Sequence, residues 1–187
     1  MIINLFPTPL YTTKFDGDLK IYSDRCLKLS QKIKKGGGHW INQPYNTCEK
    51  YNFFEDKTFK PLTDFFDKHV DIFLKSLNMK KCLNKNAWFN LYSAGDSQEF
   101  HAHHWDSVSG IFYLKTTPKD AKTIFKSPLR PYPTDGDFAQ DNPYTWKIYT
   151  VEPKQGTLLL FKSDLEHCVE KQMNNSQRLT MALNYSP

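Results

Sequence analysis

Leu19, Tyr22, Cys26, Leu29 and Ile33 fall three or four residues apart, the spacing of one helical face, and predict an amphipathic helix from Leu19 to about Lys35. Gly36-Gly37-Gly38 ends it. No Gly-Lys-Ser/Thr follows and no buried strand precedes, so these glycines read as a connector rather than a phosphate loop. A second apolar stripe through Phe59, Leu62, Phe66, Val70, Phe73 and Leu77 predicts a helix from about Lys57 to Met79. His69 inside it reads as a partner for a neighbouring carboxylate or water. Beyond Asn84-Lys85-Asn86 the period shortens to two, which is the signature of half-buried strands. Strands are predicted at Ala87–Tyr92, Phe100–Trp105, Ser109–Lys115, Thr123–Lys126, Trp146–Val151, Gly156–Phe161, His167–Glu170 and Gln177–Tyr185, with an earlier one at Leu10–Phe15. Helices first and then a run of short strands argue for a mainly β (α+β) fold. We expect a β-sandwich or jelly roll with the two helices packed on one sheet.

Composition narrows the function classes. The chain has 187 residues, 15% of them aromatic, which suits one domain whose large side chains pack between sheets. We expect a single unit over 1–187, with helical support at about 18–80 and a strand core at about 85–187. The net charge of +5 comes from scattered lysines. Arginine occurs only as Arg25, Arg130 and Arg178, and no basic stripe alternates with aromatics, so nucleic acid is not an expected partner. Cys26, Cys48, Cys82 and Cys168 form no CxxC pair and imply no disulfide framework. The first residues lack a basic, apolar signal pattern and no stretch is long enough to span a bilayer, so the expected location is cytoplasmic. Pro118 to Pro143 reads as an insertion carrying one strand, of a length often found in active-site lids.

The chemistry concentrates in Glu99-Phe-His101-Ala-His103-His104-Trp-Asp106. Imidazoles two apart on an extended backbone share a face, and His167 on a later strand supplies a distant third. Such a set can close one face of a metal octahedron and leave other positions for small ligands. Arg178, with Leu179 and Met181 beside it on the last strand, is costly to bury unless an anion meets its fork. Tyr113 shares the parity of His101 and His103. Asn90 and Asn184 read equally as cavity-lining amides or as solvent-facing strand residues. Trp40, Trp105 and Tyr132 are candidates for a substrate wall.

Taken in order, these pieces resemble the Fe(II)/2-oxoglutarate-dependent dioxygenases, in particular small prolyl-hydroxylase-like members of bacteria and phages. His101-Ala-His103 stands at the first histidine and usual carboxylate. Ser109-Gly-Ile-Phe-Tyr113-Leu matches the strand with the cosubstrate tyrosine, and Gly156-Thr-Leu-Leu-Leu-Phe161 through His167 matches the segment to the distal histidine. Arg178-Leu-Thr180 matches the pair that holds the far carboxylate of 2-oxoglutarate, and Phe6-Pro-Thr-Pro9 looks like one subgroup's opening. The likeness covers residues 85 to 187 well and the helices weakly.

The resemblance implies a double-stranded β-helix that uses Fe(II), 2-oxoglutarate and O2. It also implies hydroxylation of an amino-acid or peptidyl substrate, prolyl among the candidates, with release of succinate and CO2. Arg178, Tyr113, Thr180 and Asn90 become the expected cosubstrate contacts. Most of the superfamily has HxD where this chain has His101-Ala-His103, so two ligand sets are open. One is His101, His103 and His167, as in the resembling subgroup, with Asp106 accepting from an imidazole N–H. The other takes His104-Trp-Asp106 as the motif and gives His104, Asp106 and His167. A cupin-like three-histidine metalloenzyme without 2-oxoglutarate is the alternative function, and a binding module with incidental histidines is the other. The expected partner is a small-molecule or peptide substrate, with no membrane.

Overall fold

A computed structural model describes residues 1–37, 40–129, 140 and 142–187. Among them the chain runs β1 (Leu10–Lys14), α1 (Leu19–Ser30), β2 (Tyr45–Asn46), α2 (Lys60–Ser76), then β3 (Asn84–Tyr92), β4 (Gln98–His101), β5 (Val108–Lys115) and β6 (Thr123–Lys126). β7 (Ile148–Val151), β8 (Thr157–Lys162), β9 (His167–Val169) and β10 (Arg178–Ser186) complete it. Two antiparallel sheets form: a six-stranded one in the order β1-β8-β5-β10-β3-β2, and a four-stranded one in the order β4-β9-β6-β7. The expected jelly roll is thus found.

Both helices start where their caps allow. Asp18 accepts from Lys20 N at 2.8 Å at the start of α1, and Pro61 occupies the first turn of α2, where a missing N–H costs nothing. α1 stops at Ser30, five residues short of the expected Lys35, and Ser30 Oγ bonds back to Leu27 O at 2.8 Å. A serine hydroxyl so placed competes for the helical carbonyls, and the chain leaves the helix well before the glycines. α2 is shorter than expected at its start too, because Lys57–Phe59 forms a tight 3-10 turn capped by Asp56.

The helices lie on the outer face of the six-stranded sheet. Leu62, Phe66, Val70, Phe73 and Leu74 of α2 form one buried cluster with Phe89, Phe112, Leu158, Leu160, Met181 and Leu183 of the sheet. Strand alternation then divides labour. On β10, Leu179, Met181, Leu183 and Tyr185 face the helices, whereas Arg178, Thr180, Ala182 and Asn184 line a pocket between the sheets. β3 does the same: Ala87 and Phe89 face the helices, and Trp88, Asn90 and Tyr92 the pocket. The register Arg178↔Tyr92, Thr180↔Asn90 and Ala182↔Trp88 sets these pocket residues side by side in rows. β3 begins at Asn84 rather than Ala87, since Asn84-Lys85-Asn86 pair with the end of β10 and the ladder overrides their weak strand preference.

Candidate active site

His101 and His167 are direct cross-strand partners of β4 and β9, so their rings meet with centroids 4.3 Å apart. His103 arrives differently. The strand expected to continue to Trp105 ends at His101, and a turn closed by Asp106 N→His103 O at 3.1 Å follows. The backbone N–H of His103 donates to Ser163 O at 2.8 Å, which ties this turn to the end of β8. Its ring comes to rest 5.1 Å from His101 and 5.4 Å from His167. One nitrogen from each of the three imidazoles lies within 4.8 Å of the others.

The ring orientations follow a rule. His101 Nδ1 lies 2.7 Å from Glu99 O and His167 Nδ1 2.9 Å from Leu165 O. A carbonyl only accepts, so each Nδ1 carries the proton and each Nε2 keeps a free lone pair. His103 Nδ1 faces the Asn184 side chain at 3.2 Å. Burial, joined by the neighbouring imidazoles, lowers His103 to about 4 and His167 to about 3, and burial lowers His101 as well. The cluster is therefore neutral at pH 7, the protonation state in which imidazole binds a metal.

Asp106 stands outside this group. Its carboxyl is raised by burial, and it makes no hydrogen bond to the three rings; the place expected for it is taken by the Asn184 amide. His104 is exposed on the turn and is likewise outside, so the set His104, Asp106 and His167 is not brought together. The turn after His101 breaks the strand phase, and it places His104 and Asp106 apart from the three converging imidazoles.

The same pocket, about 460 Å³ counted to its open mouth, carries Arg178 at its inner end. Arg178 is 0% exposed, and among the described residues neither its Nε nor its two Nη atoms has a hydrogen-bond acceptor. Its Cζ sits 4.4 Å from the centre of the Tyr92 ring and 5.5 Å from that of Tyr113, so two neutral aromatic rings contact the guanidinium but no anion does. Stacking of this kind offsets about 2 kcal/mol. A buried charge left unpaired costs several kcal/mol, which is more than stacking returns. Asn90 Oδ1, in the same row, is also buried without a donor among the described residues. The donor set thus fits a metal at the imidazoles and a carboxylate at Arg178.

Thr180, Asn90 and Arg178 line the pocket as the sequence led us to expect. Tyr113 sits deeper, fully buried, with its hydroxyl donating to Thr123 Oγ1 at 2.8 Å. Trp40 lines the pocket and approaches His101 at 4.8 Å, but Trp105 is 93% exposed and points away from it. Tyr132, with the rest of residues 130–139 and residue 141 of the expected lid, lies outside the described residues. His69 bonds to the Tyr11 hydroxyl at 2.7 Å, a phenol rather than the carboxylate or water expected. Two residues went unread in the sequence: Tyr92, which stacks on Arg178, and Gln98, which accepts from the Tyr92 hydroxyl. The parity Trp88, Asn90, Tyr92 was the available signal for the first; nothing in the sequence marked the second.

The model of a protein family described as 2OG-Fe(II) oxygenase matches residues 86–184. Among curated proteins none matches this chain. Among solved structures, a prolyl-4-hydroxylase from Pseudomonas putida superposes with a TM-score of 0.70 at 15% identity, covering 96% of this chain and 92% of its own. HygX from Streptomyces hygroscopicus, solved with nickel and 2-oxoglutarate bound, gives 0.66 at 12% identity over 96% and 83%. SnoN, an epimerase of nogalamycin biosynthesis, gives 0.71 at 11% identity over 96% and 76%. These likenesses carry the double-stranded β-helix fold, and the family match spans more than half the chain. This protein belongs to the 2OG-Fe(II) oxygenase family and is an oxygenase that uses iron, 2-oxoglutarate and dioxygen.

Proposed function

We infer that the whole chain acts as one oxygenase domain in which His101, His103 and His167 hold Fe(II) and Arg178 holds the far carboxylate of 2-oxoglutarate. One observation carries this reading. A fully buried guanidinium without an acceptor among the described residues shares a pocket with three neutral, converging imidazoles. A dicarboxylate would answer both demands at once, one carboxylate neutralising Arg178 and the other end serving as a ligand for a metal held by His101, His103 and His167. Each charge-assisted hydrogen bond so formed contributes about 1.5–3 kcal/mol. A cosubstrate-free cupin-like reading leaves the guanidinium stranded.

When bound, the iron supplies dioxygen activation coupled to oxidative decarboxylation of 2-oxoglutarate to succinate and CO2. The protein's side chains do the rest. Tyr92 and Tyr113 hold the guanidinium plane; burial raises both phenols, Tyr92 to about 12, so they remain neutral donors engaged with Gln98 and Thr123. Thr180 and Asn90 offer a hydroxyl and an amide beside Arg178. Ile111, Phe161 and Val169 give the pocket apolar walls, with the Phe161 ring 4.8 Å from that of His167. Trp40 and Trp88 flank the histidines on the open side, 4.8 Å from His101 and 6.4 Å from His103. There they would wall the substrate, which we take to be an amino acid or peptide, with prolyl hydroxylation as one outcome. Succinate release, measured against a panel of amino acids and peptides, tests this. Substrate-stimulated release should be present in wild type and lost in Arg178→Ala; release unchanged by the substitution would overturn the assignment.

A further inference from the structure

Two of the three imidazoles have their tautomer fixed by backbone carbonyls, Glu99 O for His101 and Leu165 O for His167. His103 has no carbonyl partner: its Nδ1 meets Asn184 Nδ2 at 3.2 Å. Asn184 in turn receives a hydrogen bond at Oδ1 from Ser109 Oγ at 2.8 Å, and Ser109 Oγ also contacts Ser163 Oγ at 2.8 Å. Ser109 and Ser163 are only 2% and 1% exposed, so the serine end of this chain is closed to bulk water, while Asn184 and His103 are half-buried at the pocket. A serine hydroxyl has a single proton, which can serve Asn184 or Ser163 but not both.

The chain therefore has two self-consistent directions. In one, Ser163 donates to Ser109, Ser109 to Asn184 Oδ1, and Asn184 Nδ2 to His103 Nδ1; a neutral His103 then carries its proton on Nε2. In the other, the amide is turned over. His103 Nδ1–H donates to Asn184 Oδ1, Nδ2 donates to Ser109, and Ser109 to Ser163. The two orientations of a carboxamide have nearly the same shape, so apart from the protons of the serines and the imidazole no other atom has to move. Only the second frees His103 Nε2, matching the tautomer that the carbonyls impose on His101 and His167.

We propose that Asn184 is the positioning residue of the metal site, a reversible amide that, with Ser109 and Ser163, sets the tautomer of His103 and turns over when a metal binds. This rests on the reading of His101, His103 and His167 as ligands. It predicts that residue 184 must supply an acceptor. Asn184→Asp, which can only accept, should bind Co(II) as tightly as wild type or more tightly and keep its visible spectrum. Asn184→Leu, similar in size but without an acceptor, should lose affinity by roughly 10–100-fold.

The test is Co(II) titration followed by absorption for wild type, Asn184→Asp, Asn184→Leu and His167→Ala, with circular dichroism showing each variant folded. On Zn(II)-loaded protein, nitrogen-15 NMR of the histidine rings reads the tautomer directly and should place the His103 proton on Nδ1. Wild-type affinity in Asn184→Leu, equal losses in the Leu and Asp variants, or a His103 proton on Nε2 in the Zn(II) form would each overturn the proposal. Wild type and His167→Ala binding Co(II) alike would instead overturn the ligand assignment beneath it, and the two failures are thereby distinguished.

Discussion

Arg178 decides more than any other residue, because its energetics change sign with the ligand. Without an anion its buried guanidinium is a liability, and an apolar replacement of similar length relieves it. Arg178→Met should therefore be at least as thermally stable as wild type in the absence of ligand. With Zn(II) present and 2-oxoglutarate at a hundred times its Kd, wild type should gain about 2.7 kcal/mol, a rise of ~5–10 °C in Tm, and Arg178→Met should gain none. Thermal melts of both proteins with and without 2-oxoglutarate check this. A destabilised Arg178→Met that still responds to 2-oxoglutarate would mean that the guanidinium is structural. The fork geometry matters as well as the charge: Arg178→Lys keeps the charge but cannot stack between Tyr92 and Tyr113, and should weaken 2-oxoglutarate binding by more than tenfold in the same assay.

At the scale of elements, the site depends on two strands that hold different chemistry on their two faces. β5 passes between β8 and β10, and Gly110 lies opposite both Leu160 and Leu183. A Cβ at Gly110 would come within 2.8 Å of Leu160 Cδ2 and 2.9 Å of Leu183 Cδ1, both fully buried side chains. Gly110→Ala should therefore cost about 1–3 kcal/mol, read as a lower urea midpoint with an unchanged slope. A midpoint equal to wild type would show that the leucines move aside freely.

The same strands show what a sequence can and cannot display. Alternation put Arg178 and Thr180 on one face of the last strand, since period two is a local property of an extended chain; it left Asn90 open between cavity and solvent, and the pairing of β3 with β10, Asn90 beside Thr180, decided it. Alternation also put His101 and His103 together, but for a reason that holds over one step only. The strand ends at His101 and a hydrogen bond to Ser163, sixty residues away in sequence, completes the turn. Contacts of that kind leave no periodic trace. Asn184 beside His103 and the short strand β2 share this property, because each is defined by a partner far along the chain, whereas Gln98 meets Tyr92 across the nearby turn between β3 and β4. The early stop of α1 was visible in Ser30 only once the bond to Leu27 O was known.

For the molecule as a whole, three neutral imidazoles packed together make acid a specific enemy. Their protons are refused in the folded state, with His103 held at about 4 and His167 at about 3, whereas the unfolded chain takes them up near the ordinary value of 6.5. The sign follows. Between pH 6.5 and about 4 the unfolded state binds more protons, so stability of the metal-free protein falls as pH falls, by about 1.4 kcal/mol per pH unit for each of His103 and His167, with His101 acting in the same direction. Asp56, lowered to about 2 under the influence of Tyr51, Thr58 and Arg25 hydrogen bonds that outweigh burial, titrates below this window. Urea midpoints at pH 7 and pH 5 should differ in wild type and differ less in His167→Gln. A flat profile in wild type would mean that the cluster is charged or open to water.

No helix of the described residues is long and apolar enough to cross a membrane, and the two helices serve instead to cover the sheet that carries the site. What the whole architecture accomplishes is to bring His101, His103, His167 and Arg178 to one pocket. Addition of 2-oxoglutarate to the Fe(II)-loaded protein without oxygen, followed by visible absorption, tests that convergence most directly. A weak charge-transfer band should appear in wild type, vanish in His167→Ala, and fail to form at the same 2-oxoglutarate concentration in Arg178→Met. A featureless wild-type spectrum, or a band indifferent to both substitutions, would contradict the account.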